Sequence, residues 1–562
     1  LDKKGDGSLH LPRSCCTVCL AGMVIAITVA LTALPTTVLA AFDEQLAIDP
    51  VAVSLANAVT AHPPGHMAIH YNPGGLSTLP DGKHFSAGAS VVPVIEATSS
   101  FIQDPEFPGF MDTYREDIEV NGKSGTSTSG FMFLPVYDQT IDFLGAPAYA
   151  LSFRKPGSRW TFAVGGYAPF GIGLTHGDAD DPSVFGGKSV YHQHLIYFSP
   201  ALSCQITPDL SVGASVGLGH SSIGAELEMR APNDMVALTK LLGDVTQGLE
   251  IPVLSELTLP PPWFGGGVGP FNRVASLEIT VWDNFSPNFN IGLLWEPLKW
   301  LSMGACYQSA IKSRQAGRYS FDYSDEWKRL MNWLGSSPTL FIVSNVLDLP
   351  TGAVDHQSGR VTSEVEYPQR AQFGIKLQPF QRLRLMVDLN WADWSSFKQD
   401  TFVFDQDIQV FEVVKLLGYT GGNNTLILKR NWKDTWHWSF GLEVDLLEWL
   451  TVRFGYEYRP SSIPDVTYDL VYPMPDLENY GAGFGIRFAN GVVLDFAGAY
   501  LVNKSTSIPN NSSINMNSTD FTKPVYNPYA SMNYEQKTEA YIFSFKISMP
   551  TQVITEMFSR LF

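Results

Sequence analysis

The sequence predicts an all-β fold: a 14-stranded antiparallel transmembrane β-barrel with an N-terminal plug segment and helical extracellular loops. Three observations carry this. From about residue 84, stretches of roughly 10 to 17 residues alternate between apolar and polar side chains, the period of a strand with a different solvent on each face. The connections between them are alternately very short and long, as in barrels with tight inner turns and long outer loops. Charged residues make up 16% and mean hydropathy is +0.01, yet 12% of the chain is aromatic. That mixture is too polar for helical spans and suits strands that show lipid only one face. The net charge of −18 argues against nucleic acid, whose phosphates need clustered lysine and arginine.

The elements follow in order. Residues 1–40 read as a signal peptide, with Lys3, Lys4 and Arg13, an apolar run from Leu20 to Leu34, and small residues before a mature start at Ala41. The run is shorter than the ~20 residues of a spanning helix. Export to a bacterial outer membrane is the expectation. Of the two cysteines beyond this segment, Cys204 has lipid-facing parity and Cys306 lumen-facing parity, so no disulfide is expected.

Residues 41–83 are too short for a domain and too apolar for a tail, with Val51, Val53, Leu55 and Val59 followed by Ile69 to Leu76. A barrel this wide needs filling, so the segment is read as a plug, the alternative being a periplasmic tether. The barrel itself is assigned to 84–549. Strands are expected near 84–94, 140–154, 159–174, 190–206, 210–228, 276–296, 300–316, 362–378, 382–397, 432–447, 449–461, 478–489, 491–503 and 535–549. Trp160, Trp300, Trp391, Trp394, Trp432, Trp436 and Trp449 lie near strand ends, where interfacial girdles belong. Helical spacing of apolar residues appears in three loops: 234–250, 326–334 and 408–417. Residues 550–562 form an amphipathic tail expected at the inner membrane boundary.

Four motifs then carry a resemblance. Tyr71-Asn72-Pro73-Gly74-Gly75-Leu76 resembles the Y-N-P-A-G-[LM] plug motif of the FadL/OmpP1/TodX family, outer-membrane transporters of long-chain fatty acids and aromatic hydrocarbons, with Gly74 in place of alanine. Ala168-Pro169-Phe170-Gly171 is similar to its P-F-G element. Trp391 to Phe397 resembles W-x-D-W-S-x-F, and Asn431 to Trp436 resembles N-W-K-D-T-W. The resemblance implies passive, ligand-gated uptake of a hydrophobic small molecule, most simply a long-chain fatty acid. It also implies a lateral gate where strand 3 bends, at Gly165, Gly166, Pro169 and Phe170. Glycine pairs weaken a ladder and proline cannot donate to it.

Ligand-binding candidates are Trp327, Leu330 and Leu334 on a loop helix, and Lys312, Arg314 and Arg318 for a carboxylate. No catalytic residue, cofactor or metal site is assigned. His62, His66 and His70 recur every fourth position, but Pro63 and Pro64 interrupt the helix that a metal face would need. Expected partners are the hydrophobic ligand, outer-membrane lipid and the barrel-assembly machinery, with no nucleic acid. The competing readings are a hydrocarbon channel, a polar-solute porin, and a surface adhesin or barrel enzyme.

Overall fold

The computed structural model describes residues 48–561 except 107–108, 110–111, 113–114, 116, 118–121, 129–131, 135–136, 142–144, 177–180, 250–258, 469, 471–473, 509–527 and 530–531. The signal-peptide reading and the first residues of 41–83 lie outside the described residues. Fourteen antiparallel staves form the wall. They are β1 (Gly82–Gln103), β2 (Gly145–Arg154), β3 (Trp160–His176), β4 (Ser189–Thr207), β5 (Leu210–Met229) and β6 (Ala275–Leu298). The next two are each broken into two segments: β7 (Leu301–Gln308 and Ile311–Tyr323) and β8 (His356–Tyr367 and Arg370–Phe380). The last six are β9 (Leu383–Ala392), β10 (Thr435–Leu447), β11 (Leu450–Arg459), β12 (Leu477–Arg487), β13 (Val493–Ile508) and β14 (Met532–Pro550). β14 pairs with β1 from Pro550↔His84 to Met532↔Gln103, which closes the sheet and removes the edges that lipid cannot satisfy.

The break at Ser309–Ala310 in β7 has a large consequence. Below it Ser302, Cys306 and Gln308 are buried on the lumen face; above it Ser313, Gln315 and Tyr319 are. The buried face changes from the even-numbered residues below the break to the odd-numbered ones above it, so the two-residue alternation of a strand does not run through Ser309–Ala310.

Several expectations need correction in extent. β2 begins at Gly145, because Tyr137–Ile141 pairs with Met132–Leu134 in a separate two-stranded sheet. β9 ends at Ala392, and Trp394–Ser396 forms a 3-10 turn. Trp394 and Trp432 are buried and pack edge to face at 4.8 Å, so they belong to the interior and not to a girdle. Trp160, Trp300, Trp436 and Trp449 are exposed on the outer surface.

The interior divides into two layers. Residues from Ile48 to Leu79 fill the inner half of the lumen with their own apolar cluster. A larger cluster fills the outer half, built from β6, β7 and β8 and from loop helices. The helices in this cluster are Asp325–Leu334, capped where the Ser324 side chain accepts from Trp327 N at 3.3 Å, and Gln409–Val414, while Asp234–Thr246 and Pro338–Val346 are further loop helices. A hairpin, Gln399–Phe404 with Thr425–Lys429, extends the wall upward from β8. The chain ends in a helix, Thr551–Leu561, packed by Val553 and Ile554 against Leu494 and Met549 at the inner rim.

Candidate functional site

The inner layer is held by backbone capture. Asp49 caps a first short helix, Pro50–Ser54, accepting from Val51 N at 2.8 Å, and its other carboxylate oxygen accepts from Lys546 Nζ of β14 at 2.7 Å. Asn72 does more within the plug motif. Its Oδ1 caps the 3-10 turn Pro73–Thr78, while its Nδ2 donates to Thr60 O at 2.8 Å and to Leu293 O of β6 at 2.9 Å. Tyr71 Oη donates to Asn57 Oδ1 at 3.3 Å. A Cβ at Gly74 would lie 2.9 Å from Leu294 N, and one at Gly75 would lie 2.5 Å from the Pro63 ring. The glycine at 74 therefore fits a very close approach to the wall.

The wall answers with glycines of its own. A Cβ would lie 2.2 Å from Pro73 O at Gly213, 2.1 Å from Thr60 O at Gly304, and 2.2 Å from Leu55 C at Gly455. At Gly481 it would lie 2.3 Å from Val53 O. On β9 the residue is instead Asp388, whose carboxylate accepts from Val59 N at 2.8 Å and Thr60 N at 2.7 Å. Asp388→Ala leaves both amides buried without that acceptor, at roughly 1–3 kcal/mol each. Hydrogen–deuterium exchange is expected to speed up at residues 59–60 while the barrel amides stay protected.

Charges around the plug are paired. Arg453 bridges Glu443 at 2.6 Å and Asp495 at 2.9 Å, and Arg459 pairs with Glu457 at 2.8 Å. The three plug histidines go to separate partners: His62 to Glu443, His66 to Ser152 and His70 to Gln308.

Strand β3 is interrupted where the sequence places Gly165, Gly166, Pro169 and Phe170. Its ladder with β2 runs from Thr161 to Gly166 and stops. On that side, among the described residues, pairing resumes at Leu174 with the short strand Lys123–Thr128. On the other side the register with β4 shifts twice, between Gly165 and Tyr167 and between Tyr167 and Phe170. Tyr167 is buried edge-on to the plug's His70 at 4.9 Å. Tyr149 crosses the glycines, its hydroxyl donating to Tyr197 O at 2.6 Å, and a Cβ at Gly166 would meet its ring at 2.7 Å.

Above the plug lies a cavity of about 600 Å³. Trp327, Leu330 and Leu334 all line it, together with Phe411, Leu340 and Met235 from other loop helices. Trp327 Nε1 donates to Gln409 Oε1 at 3.1 Å, tying two of those helices together. Burial pushes the Tyr419 phenol in the lining up to about 12, so it acts as a neutral hydroxyl that donates to Thr425 O.

Lys312, Arg314 and Arg318 are not in this cavity. The parity reversal in β7 sends them outward, and Lys312 pairs with Glu366 at 3.4 Å and Arg314 with Glu364 at 3.3 Å. The arginines in the lining are Arg230 and Arg430. Both are buried: Arg430 Nε donates to Asp400 Oδ2 at 2.6 Å, and Arg230 Nη1 to Asp117 Oδ1 at 3.0 Å. Sequence reasoning missed them because neither lies on a strand or helix whose parity would show its direction.

A family model described as outer membrane protein transport protein (OMPP1/FadL/TodX) matches residues 40–550. The chain belongs to this family. Solved structures share its fold at low identity. A Pseudomonas aeruginosa FadL homologue superposes with a TM-score of 0.62 at 17% identity, covering 91% of this chain and 100% of that one. The Pseudomonas putida toluene transporter TodX gives 0.55 at 15%, covering 89% and 98%, and the Ralstonia pickettii toluene transporter TbuX gives 0.52 at 17%, covering 88% and 97%. No curated protein matches the chain significantly. As a member of the OMPP1/FadL/TodX family it is an outer-membrane β-barrel that transports hydrophobic substrates.

Proposed function

We propose that this barrel carries a long, mainly apolar molecule passively across the outer membrane, a long-chain fatty acid foremost. The ligand enters the outer cavity and leaves sideways at the strand-3 interruption, with the plug in place. The observation that carries this reading is the cavity, about 600 Å³ and lined chiefly by apolar side chains. Sites for drug-sized ligands span roughly 300–1,000 Å³. A straight exit would have to break the contacts of the plug with Asp388, Lys546 and the wall glycines, whereas the sideways exit breaks none of them. A polar-solute porin is disfavoured, because residues 48–62 are almost wholly buried within the lumen.

A second reading is uptake of a neutral hydrocarbon. It is favoured by the pairing of both lining arginines with carboxylates, which commits those two charges within the wall. Two of the similar structures are toluene transporters.

Organic extraction of the purified protein, followed by mass spectrometry, is expected to release long-chain acids. Polar solutes only, together with high ion conductance, would count against the proposal. Leu330→Trp, which fills the cavity, should lower uptake into proteoliposomes about tenfold or more while the barrel stays assembled.

A further inference from the structure

At the border of the two interior layers the lumen carries a polar patch that neither the cavity nor the plug uses. Phe170 and Tyr367 belong to the outer apolar cluster, and Tyr167 and Ile196 to the plug cluster. There the Tyr367 hydroxyl lies 2.6 Å from His192 Nε2 and 2.6 Å from Ser221 Oγ. Gln315 Nε2 donates to the same Ser221 Oγ at 2.7 Å, and the His194 ring lies 5.1 Å from that of Tyr367.

The patch sits directly inside the interrupted wall. Phe170 pairs with His194 just beyond the second register shift, and its ring lies 4.7 Å from that of His192. All five polar residues are more than nine-tenths buried. Two of their atoms, His194 Nε2 and Gln315 Oε1, have no hydrogen-bond partner among the described residues. A buried polar atom left so carries a desolvation cost that a visiting group can relieve. An imidazole offers a donor or an acceptor according to tautomer, and the Gln315 carbonyl offers an acceptor. Gly219 keeps the space open, since a Cβ there would lie 2.5 Å from His194 Nε2.

We propose that this patch is a hydrogen-bonding subsite for the polar end of an amphiphile, a hydroxyl or un-ionised carboxyl, as its tail moves from the cavity toward strand 3. The inference rests on the transport reading above and narrows its substrate class to amphiphiles. Chemistry supports the narrowing. A site built to hydrogen-bond a substrate group rejects the analogue that lacks it, because its own polar atoms are then left unpaired.

The test is uptake by the full protein in proteoliposomes of three probes with one chain length: palmitic acid, hexadecanol and hexadecane. His194→Phe and the near-isosteric Gln315→Leu should each lower uptake of the acid and the alcohol about tenfold and leave the alkane unchanged. His194→Gln, which keeps a hydrogen-bonding side chain, should restore them. Equal losses for all three probes, or no loss for the acid and alcohol, would overturn the subsite. A wild-type protein that carries none of the three would overturn the transport reading itself.

Discussion

Gly304→Val combined with Gly455→Val is expected to turn a sealed barrel into an ion-conducting one. The wall ladders that build the barrel do not depend on these positions having no side chain. The plug does: a Cβ at Gly304 would lie 2.1 Å from Thr60 O, and one at Gly455 would lie 2.2 Å from Leu55 C. Both neighbours are plug backbone, which has no rotamer to move aside. Overpacking of this kind costs roughly 1–3 kcal/mol per site, so the pair should shift the seating equilibrium by about a hundredfold or more. Single-channel conductance in planar bilayers reads the outcome. Gly498→Val is the control, because the nearest atom to a Cβ there is 3.7 Å away. Unchanged conductance in the double variant would mean that the glycines do not set the plug's position.

The second large effect concerns charge. Asp400→Asn is expected to destabilise the empty cavity wall and to tighten binding of a long-chain acid. Arg430 and Asp400 are both buried, and removing one member of such a pair costs up to about 3–5 kcal/mol by taking a buried counter-charge from the other. A carboxylate in the cavity can take the place of the lost one. Binding of palmitate, read by calorimetry, should tighten by about tenfold or more, while binding of the matching alkane stays constant. No change for palmitate would mean that its carboxylate does not reach Arg430, and would favour the hydrocarbon reading.

The strand pattern was legible because each stave separates lipid from water, and that separation writes a period of two into the residues. Trp436, Trp438 and Phe440 are exposed, while Ser439, Gly441 and Glu443 on the opposite parity face inward and are buried, as the alternation requires. Where the period breaks, sequence reasoning followed it too far. The stretch 300–316 reads as one strand, but its inward face changes at Ser309–Ala310, and the carboxylate candidates Lys312 and Arg314 at its upper end turn out. The helix Pro338–Val346 was missed because its β-branched, apolar residues have no polar face to reveal a helical period, although Ser337 and Pro338 form a recognisable start.

The wall glycines were visible only as small residues on polar faces. Their meaning depends on a plug backbone more than a hundred residues distant in the chain, which no local pattern encodes. The same holds for Asp388, which reads as one more lumen carboxylate until the amides of Val59 and Thr60 are placed on it. Trp327, Leu330 and Leu334 were legible because a capped helix carries its own period.

The central claim, that a hydrophobe leaves through the wall while the plug stays seated, is tested most directly by locking the plug. Ser77 Oγ donates to Ser211 Oγ of β5 at 2.7 Å, so Ser77→Cys with Ser211→Cys places two thiols within disulfide reach. Uptake of labelled palmitate by proteoliposomes carrying the oxidised variant should match that of the reduced variant. Uptake that vanishes on oxidation and returns on reduction would show that the plug must move, and would contradict the sideways route.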